Sequence, residues 1–259
     1  MIFLRQVRVI ASRDLKQFLL SPLFYVFAGV SCVFLSYVFP RDLFRFAQSY
    51  VMPAFQQGAQ QARNIHFEVF VSHISYINLI LLFCIPILSM KLLAEEKKNR
   101  TYDLLMTSPV SSLQIVVGKY LALLGVLLIF LLITLFYPLS TVFVTDIPVG
   151  PLFSSYMGIF LLGSVYSAIG LFTSSLTASL FLSVFIGIIL NISVWFISQG
   201  QEFSNPFINS MMEYLSLSNH LTNFVKGSLV INSFAFFFTF IIFFLFLVYK
   251  VLEFSRWRS

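Results

Sequence analysis

Apolar residues in this 259-residue chain are gathered into long uncharged stretches, not spaced for a water-facing surface. A membrane-spanning helix needs about 20 consecutive, mostly apolar residues. The stretch from Ile147 to Gln201 carries no charge and is too long for one crossing, so its polar centre near residues 173–177 divides it in two. The pattern predicts six spans, over residues 21–40, 69–92, 113–145, 151–173, 178–199 and 229–250.

The first 19 residues follow a different pattern, in which apolar and basic side chains interleave at near-helical spacing. Ser21-Pro22 then interrupts the helix. Such a helix can lie flat at the membrane surface, with its basic residues near anionic headgroups. The alternative is a plain positive flank that only orients the first span, and the pattern favours the interfacial helix.

Composition supports a membrane protein. Hydrophobic residues make up 59% of the chain and charged residues 10%, whereas soluble domains carry about 25% charged residues. The net charge of +6 does not predict nucleic-acid binding, because the basic residues form short clusters beside apolar runs. Cys32 and Cys84 lie inside apolar runs and are expected to be buried free thiols.

The basic residues also predict an orientation. With six spans, both termini share one side with the second-to-third and fourth-to-fifth connections. Twelve of the sixteen basic residues fall on that side, and only Arg41, Arg45, Arg63 and Lys226 fall on the other. The positive-inside rule therefore places both termini on the cytoplasmic side of the membrane. The expected location is a bacterial inner membrane.

Enzyme signatures are missing from the sequence. The single Gly-Lys pair, Gly118-Lys119, is followed by Tyr120 and lacks the rest of a P-loop, so no ATP site is expected. His66 and His73, like His220, are expected in or beside outward loops, away from the span serines that a protease would need. No span is expected to hold an interior charged residue, so a transporter of this kind would draw its energy from a partner.

The loop between the second and third predicted spans, residues 91–110, is the most informative segment. Thr101 is predicted to cap a short helix that Pro109 ends, and Ser111-Ser112 to cap the following span. A solvated charge run is the usual alternative. The adjoining apolar Leu104-Leu105 and the rigid proline are better explained by an element that docks onto a partner.

Two motifs carry a resemblance to a known family. The acidic and basic run Glu95-Glu96-Lys97-Lys98, followed by Thr101-Tyr102-Asp103-Leu104-Leu105-Met106-Thr107-Ser108-Pro109-Val110, resembles the hallmark of ABC-2 type ABC transporter permeases. The family usually has Gly where this chain has Arg100, and Glu is commoner than Asp103. Residues 214–221 and the tail after the last span are similar to the gliding-motility-associated permease subfamily.

The resemblance implies an all-α polytopic membrane protein that forms one ABC-2 type transmembrane domain over residues 1–259. It would have six transmembrane helices, an N-terminal interfacial elbow helix at residues 1–19 and a cytoplasmic coupling helix. The coupling helix would sit in a groove of a separate P-loop ATPase subunit. Coupling to the ATPase is expected from Glu95, Glu96, Thr101, Asp103, Leu104, Leu105, Thr107 and Pro109.

The implied function is export of a substrate, powered by ATP hydrolysis in a partner. The chain itself would not be an enzyme and would hold no cofactor or metal, since ATP and Mg belong to the ATPase. Expected partners are two ATPase copies, a second permease copy or paralogue and membrane lipid, with a periplasmic or auxiliary subunit left open and no nucleic acid. The alternatives are a non-transporting scaffold or anchor of a motility or secretion complex, an ATP-independent channel and an intramembrane enzyme.

Overall fold

The computed structural model describes residues 2–51, 64–102, 107, 110–141, 149–196, 211–212 and 214–256. Within these ranges the chain is helical and contains no β-strand, as the all-α class predicts. A π-helical turn, His66–Phe70, leads directly into the third helix. The helices are α1 (Ile2–Leu20), α2 (Pro22–Val51), α3 (Val71–Ser89), α4 (Ala94–Lys98), α5 (Ser112–Ser140), α6 (Val149–Leu176), α7 (Leu180–Phe196), α8 (Leu217–Val225) and α9 (Ile231–Arg256).

Five helical segments of the described chain are long and apolar enough to cross a membrane, so the protein is a multi-pass membrane protein. They are Pro22–Gln48, His66–Lys98, Ser112–Ser140, Val149–Leu176 and Ile231–Arg256. Helix α7, within the predicted span 178–199, is apolar but has 17 described residues. These residues extend about 26 Å, a little less than the hydrocarbon core of a bilayer. Residues 197–199 of that predicted span lie outside the described ranges.

Successive long helices run in alternate directions, so their termini collect at two ends of the bundle. At one end, Lys91 after α3 donates a hydrogen bond to Ser21 Oγ just before α2. We call this the α4 end. At the other end, His66 Nε2 donates to the carbonyl of Val225, the last residue of α8. We call this the α8 end.

Helix α6 lies at the centre of the bundle and packs on α3, α5, α7, α8 and α9. Small residues let these neighbours approach its backbone closely, which is how membrane helices commonly associate. A Cβ atom at Gly158 would lie 2.6 Å from Phe224 Cβ, and one at Gly163 would lie 2.9 Å from Leu127 Cδ1. Gly158 therefore allows α8 to pack closely against the backbone of α6, and Gly163 does the same for α5.

Pro40, Pro86 and Pro138 lie inside long helices, where a proline leaves a backbone carbonyl without its helical donor because it has no N–H. For Pro86 and Pro138, a side chain of another helix contacts the freed carbonyl. Pro86 in α3 leaves the carbonyl of Leu82 free, and Asn191 Nδ2 of α7 donates to it at 3.1 Å. Neighbouring helices satisfy such freed carbonyls in membrane proteins, where water is not available to do so. Asn191 is fully buried, so its amide is a structural donor inside the bundle.

The proline inside α5 explains a buried histidine. Pro138 in α5 frees the carbonyl of Thr134, and His73 Nε2 lies 3.3 Å from that oxygen. His73 is 2% exposed and is the third residue of α3, so it is a buried residue of the span, close to the α8 end. His66 and His220 are also buried, at 1% and 8% exposure, because both bond to backbone or side-chain partners at the α8 end.

Replacing Gly158 by alanine tests the packing of α8 on α6, and Gly29 supplies a matched control. Both glycines lie inside long helices, but a Cβ at Gly29 meets no atom within 4 Å. We expect Gly29→Ala to raise stability by up to about 1 kcal/mol, the helix-propensity difference. We expect Gly158→Ala to lower it by about 1–3 kcal/mol, because the methyl group overpacks the contact with Phe224.

Thermal melting of the purified protein in detergent measures both effects. If the two variants melt at the same temperature, Phe224 does not pack against the backbone of α6 in the way described.

Candidate functional site

The loop singled out by the sequence contains a short helix that precedes the one predicted to begin at Thr101. Helix α4 spans Ala94–Lys98 and therefore carries the acidic pair Glu95 and Glu96 itself. The amide of Arg100 bonds to the carbonyl of Lys97, and that of Thr101 to the carbonyl of Glu96. This pattern is a Schellman motif, which closes the C-terminus of a helix.

Arg100 adopts φ = 59° in this motif, a left-handed conformation that suits glycine best. The resemblance noted in the sequence implies Gly at this position, and the left-handed conformation is a physical reason for Gly there. Thr101 Oγ1 also bonds to the carbonyl of Glu96, so Thr101 helps to close α4. Thr107 is exposed, and Asp103, Leu104, Leu105 and Pro109 lie outside the described residues, together with the helix that they were predicted to form.

The start of α4 is capped by another span. Ser174 Oγ, in the last turn of α6, accepts hydrogen bonds from the amides of Leu93 at 3.2 Å and Ala94 at 2.9 Å. These amides belong to the set that a helix start leaves without intrahelical partners. Lys97 returns the contact by donating to the carbonyl of Ser175, near the negative end of the α6 dipole. The side chain of Ser174 therefore satisfies backbone amides at the start of α4, and the side chain of Lys97 satisfies a backbone carbonyl at the end of α6.

An ion network fixes α4 from the side. Lys119 Nζ of α5 lies 3.2 Å from Asp14 Oδ2 of α1 and 2.8 Å from Glu96 Oε1 of α4, and it donates to the carbonyl of Leu92 at 2.7 Å. Arg13 Nη2 contacts Asp14 Oδ1 at 2.8 Å and Glu96 Oε1 at 3.3 Å. We call Arg13, Asp14, Glu96 and Lys119 the ionic cluster.

The ionic cluster is electrically balanced, with two cations and two anions. Lys119 is 1% exposed and Asp14 3%, whereas Arg13 reaches the surface with 54% of its side chain exposed. Burial alone would lower the pKa of the Arg13 guanidinium, but Asp14 and Glu96 together raise that pKa above its ordinary value. An unpaired charge at this depth would carry a large desolvation penalty, so the four residues depend on one another.

Helix α1 forms one wall of the ionic cluster by packing along the first half of α5. Gln114 Nε2 donates to Gln6 Oε1 at 2.6 Å, and a Cβ at Gly125 would lie 3.0 Å from Leu15 Cδ1. Helices α1 and α5 therefore run parallel, in the same direction, over this contact. The predicted helical segment is present as α1, and its placement flat on the membrane surface as an elbow helix stays a prediction.

The start of α5 is well defined. Ser111 caps the helix through a reciprocal capping box with Gln114, as the sequence predicted for Ser111-Ser112. Arg256, at the end of α9, donates to the carbonyl of Val110 just before this cap. The described part of the loop between α3 and α5 is therefore attached to the bundle at both of its ends.

Asp14 and Lys119 are the residues that the sequence predictions missed. Lys119 was counted only as an orientation charge, and the expectation that no span holds an interior lysine does not hold for α5. A signal was present: Asp14 is the single acidic residue before Asp42, and Lys119 is the single charge between Asp103 and Asp146. An isolated acid and an isolated base in otherwise basic and apolar helices indicate a pair.

Removing the lysine of the ionic cluster should destabilise the protein strongly. We expect Lys119→Met to lower stability by about 3–5 kcal/mol, because it leaves the buried Asp14 carboxylate with Arg13 as its only cation in the ionic cluster and removes the closest cation of Glu96. Lys16→Met, on the exposed face of the same α1 helix that carries Asp14, is the matched control and should change stability by less than about 0.5 kcal/mol. Thermal melting in detergent measures both.

A compensating variant separates charge balance from packing. The double replacement Asp14→Leu with Lys119→Met leaves Arg13 to pair with Glu96, so most of the lost stability should return. If the double variant melts no higher than Lys119→Met alone, the loss comes from packing and the ion network does not explain it.

Comparison with known proteins places this geometry in a family. A family model described as "ABC-2 family transporter protein" matches residues 47–205, which is more than half of the chain and includes α4 with its loop. No curated protein matches the chain. The resemblance indicated by residues 95–110 is thus confirmed at the level of the family. The chain belongs to the ABC-2 family of transporter proteins, as a membrane-spanning permease.

Proposed function

We propose that the chain is the permease subunit of an exporter that a separate P-loop ATPase drives from the cytoplasmic side of a bacterial inner membrane. Permeases of this family normally work with an ATPase subunit. In the proposed assembly, two permeases, identical or paralogous, pair with two ATPases that bind ATP and Mg. The observation that carries the proposal is the attachment of α4 to two long helices, to α5 through the buried Lys119 and to α6 through the buried Ser174.

A coupling element must pass a displacement into the spans, and a solvated loop would absorb it. Here Ser174 caps the start of α4, Lys119 holds its side and Lys97 reaches back to α6. Nucleotide-driven closure of the ATPases would therefore move helix ends as well as the loop, which is the kind of rigid-body transition by which such proteins switch state.

The structure changes the roles that we propose for the predicted site residues. Glu96 points into the ionic cluster, so we propose that it holds α4 against α1 and α5 and does not contact the ATPase. Arg100 and Thr101 shape the end of α4. The remaining predicted residues, above all Leu104 and Leu105, are proposed to contact the ATPase.

Six spans with both termini in the cytoplasm fit the course of the described helices. Helix α7 begins at the α4 end, next to the end of α6, whereas α8 and α9 begin at the α8 end. The chain therefore passes between the two ends once more between residues 180 and 217, and α7 is the apolar helix available for that crossing. The positive-inside rule then places the basic α4 end in the cytoplasm.

Reporter fusions test the number of crossings. A fluorescent protein that matures only in the cytoplasm should fluoresce at either terminus, because six spans bring both termini to one side. Alkaline phosphatase inserted after Ser228, at the α8 end, should be active because that end would face the periplasm. Five spans would leave one of the two terminal fusions dark.

Affinity purification in mild detergent tests the partner. We expect the tagged protein to bring down a P-loop ATPase, and the double variant Leu104→Glu, Leu105→Glu to lose it while inserting normally, because charges would replace an apolar docking ridge. The matched control is Leu229→Glu with Val230→Glu, an adjacent exposed apolar pair at the α8 end, which should retain the ATPase.

Retention of the ATPase by the Leu104 and Leu105 variant would contradict the proposed contact. A parent protein that purifies without any ATPase would favour the scaffold or anchor of a motility or secretion complex. The similarity of residues 214–221 to the gliding-motility-associated subfamily supports that subfamily as a further part of the proposal; there Ser216 caps α8 and His220 bonds to Ser233 of α9.

A further inference from the structure

The last turn of α3 connects the spans to the α4 loop, and it follows a proline. Pro86 removes one hydrogen bond from the α3 ladder, and the freed carbonyl of Leu82 is held from the side by Asn191 of α7. Only four residues separate the end of α3 at Ser89 from the start of α4 at Ala94. A change of angle at Pro86 would therefore move the loop directly.

Helix α7 rests on this turn through a narrow stripe of small and polar residues. Its fully buried residues among those described are Ser183, Gly187 and Asn191, spaced four apart on one face, and larger apolar residues such as Leu190 and Val194 are only partly buried. A Cβ at Gly187 would lie 2.9 Å from Pro86 Cβ and 3.1 Å from Thr173 Oγ1. The proline ring is thus packed against the backbone of α7.

The turn is equally tight against α6. A Cβ at Gly170 would lie 2.9 Å from Ser89 Cβ, so Ser89 packs against the α6 backbone one turn before Ser174 caps α4. The end of α3 is therefore wedged between α6 and α7. Any displacement of this turn must be taken up by one of these two helices, because packed interiors leave no free space to absorb it.

We propose that Pro86 is a hinge in α3 and that Asn191 is a positioning residue that keeps α7 attached to this hinge. When the α4 loop moves, α3 bends at Pro86, and the Asn191 hydrogen bond carries α7 with it. The role in transport rests on the proposed function, but the hinge itself is a property of this chain. A side-chain amide suits the task, because it can follow a carbonyl whose direction changes.

A double-mutant cycle on the chain alone tests the hinge. Asn191→Leu keeps the volume but removes the donor, so amides of residues 87–98 should exchange hydrogen about three- to twenty-fold faster, the range for one interhelical hydrogen bond in a membrane. In a Pro86→Ala background the restored N–H bonds to the Leu82 carbonyl, so adding Asn191→Leu should change exchange by less than about twofold. Exchange is measured by mass spectrometry in lipid nanodiscs.

The second proline site supplies a matched control, because it has the same chemistry at the α8 end. His73→Phe keeps a ring but removes the donor to the carbonyl freed by Pro138. His73→Phe and Pro138→Ala should be non-additive in melting temperature, yet neither should alter exchange in residues 87–98. Ser193→Leu, on the exposed face of α7, should alter neither measurement.

Two results of the cycle would overturn the inference. If Asn191→Leu has the same effect with Pro86 and with Ala at that position, Asn191 acts by packing and does not hold the carbonyl. If faster exchange is confined to α7, the last turn of α3 does not depend on Asn191. Because the cycle is measured on this chain alone, it tests the hinge at Pro86 independently of whether an ATPase co-purifies.

A distance measurement tests the role in coupling. In a complex with the ATPase and a background lacking Cys32 and Cys84, spin labels at Gly29→Cys and Ser193→Cys report the distance between α2 and α7. We expect a non-hydrolysable ATP analogue to change this distance in the parent protein. Asn191→Leu should abolish the change while still co-purifying the ATPase, and an unaltered change in that variant would refute the coupling role.

Discussion

Inside an apolar surrounding, each carbonyl needs a donor and each charge needs a counter-charge, and this requirement decides where the polar residues of this chain lie. Asn191 is buried because Pro86 leaves a carbonyl without its donor. Ser174 is buried because the start of α4 has two amides to satisfy. These two buried polar side chains therefore join neighbouring elements of the bundle, and neither needs to be interpreted as part of a catalytic or ion-conducting site.

The polar contacts that join the helices are of two kinds, ionic and neutral, and their strengths differ. Breaking the ionic cluster leaves a buried charge, at a cost of about 3–5 kcal/mol, so α1, α4 and α5 are expected to move as one body. Breaking a neutral interhelical hydrogen bond costs on average about 0.6 kcal/mol in a membrane protein. The contact between Asn191 and α3 is of the second kind. The α4 loop therefore stands between a stiff joint at the ionic cluster and, beyond the tightly packed last turn of α3, a more compliant one at Pro86.

The sequence was sufficient to predict the elements whose causes are local. Runs of apolar residues predicted the long helices, and Ser111 with Gln114 predicted the start of α5 because a capping box needs only residues three apart. It was not sufficient for contacts between distant segments. Lys119 meets Asp14 across 105 positions, and His73 meets Thr134 across 61, so both were interpreted from their neighbours in sequence alone.

Local cues did not indicate helix α4 of the loop. Thr101 precedes an apolar run and has the chemistry of an N-cap, so it was expected to begin a helix. Most of the helix that Thr101 was predicted to begin lies outside the described residues. Thr101 also closes α4 by bonding to the carbonyl of Glu96, and α4 begins at Ala94, whose amide donates to Ser174. The deciding partner belongs to a helix some 80 positions away, which no local pattern indicates.

The asymmetry of the two joints bears on the choice between a permease and a static scaffold. A scaffold needs a fixed surface, and rigid contacts on every side of α4 would serve it best. Instead the loop is locked to α1 and α5 by charges, whereas its path into α3 passes a proline that lacks one helical hydrogen bond. Force applied at α4 would therefore displace α1 and α5 directly, whereas its path into α3 includes a bend at Pro86. Different parts of the bundle would move by different amounts, as opening a path between helices requires.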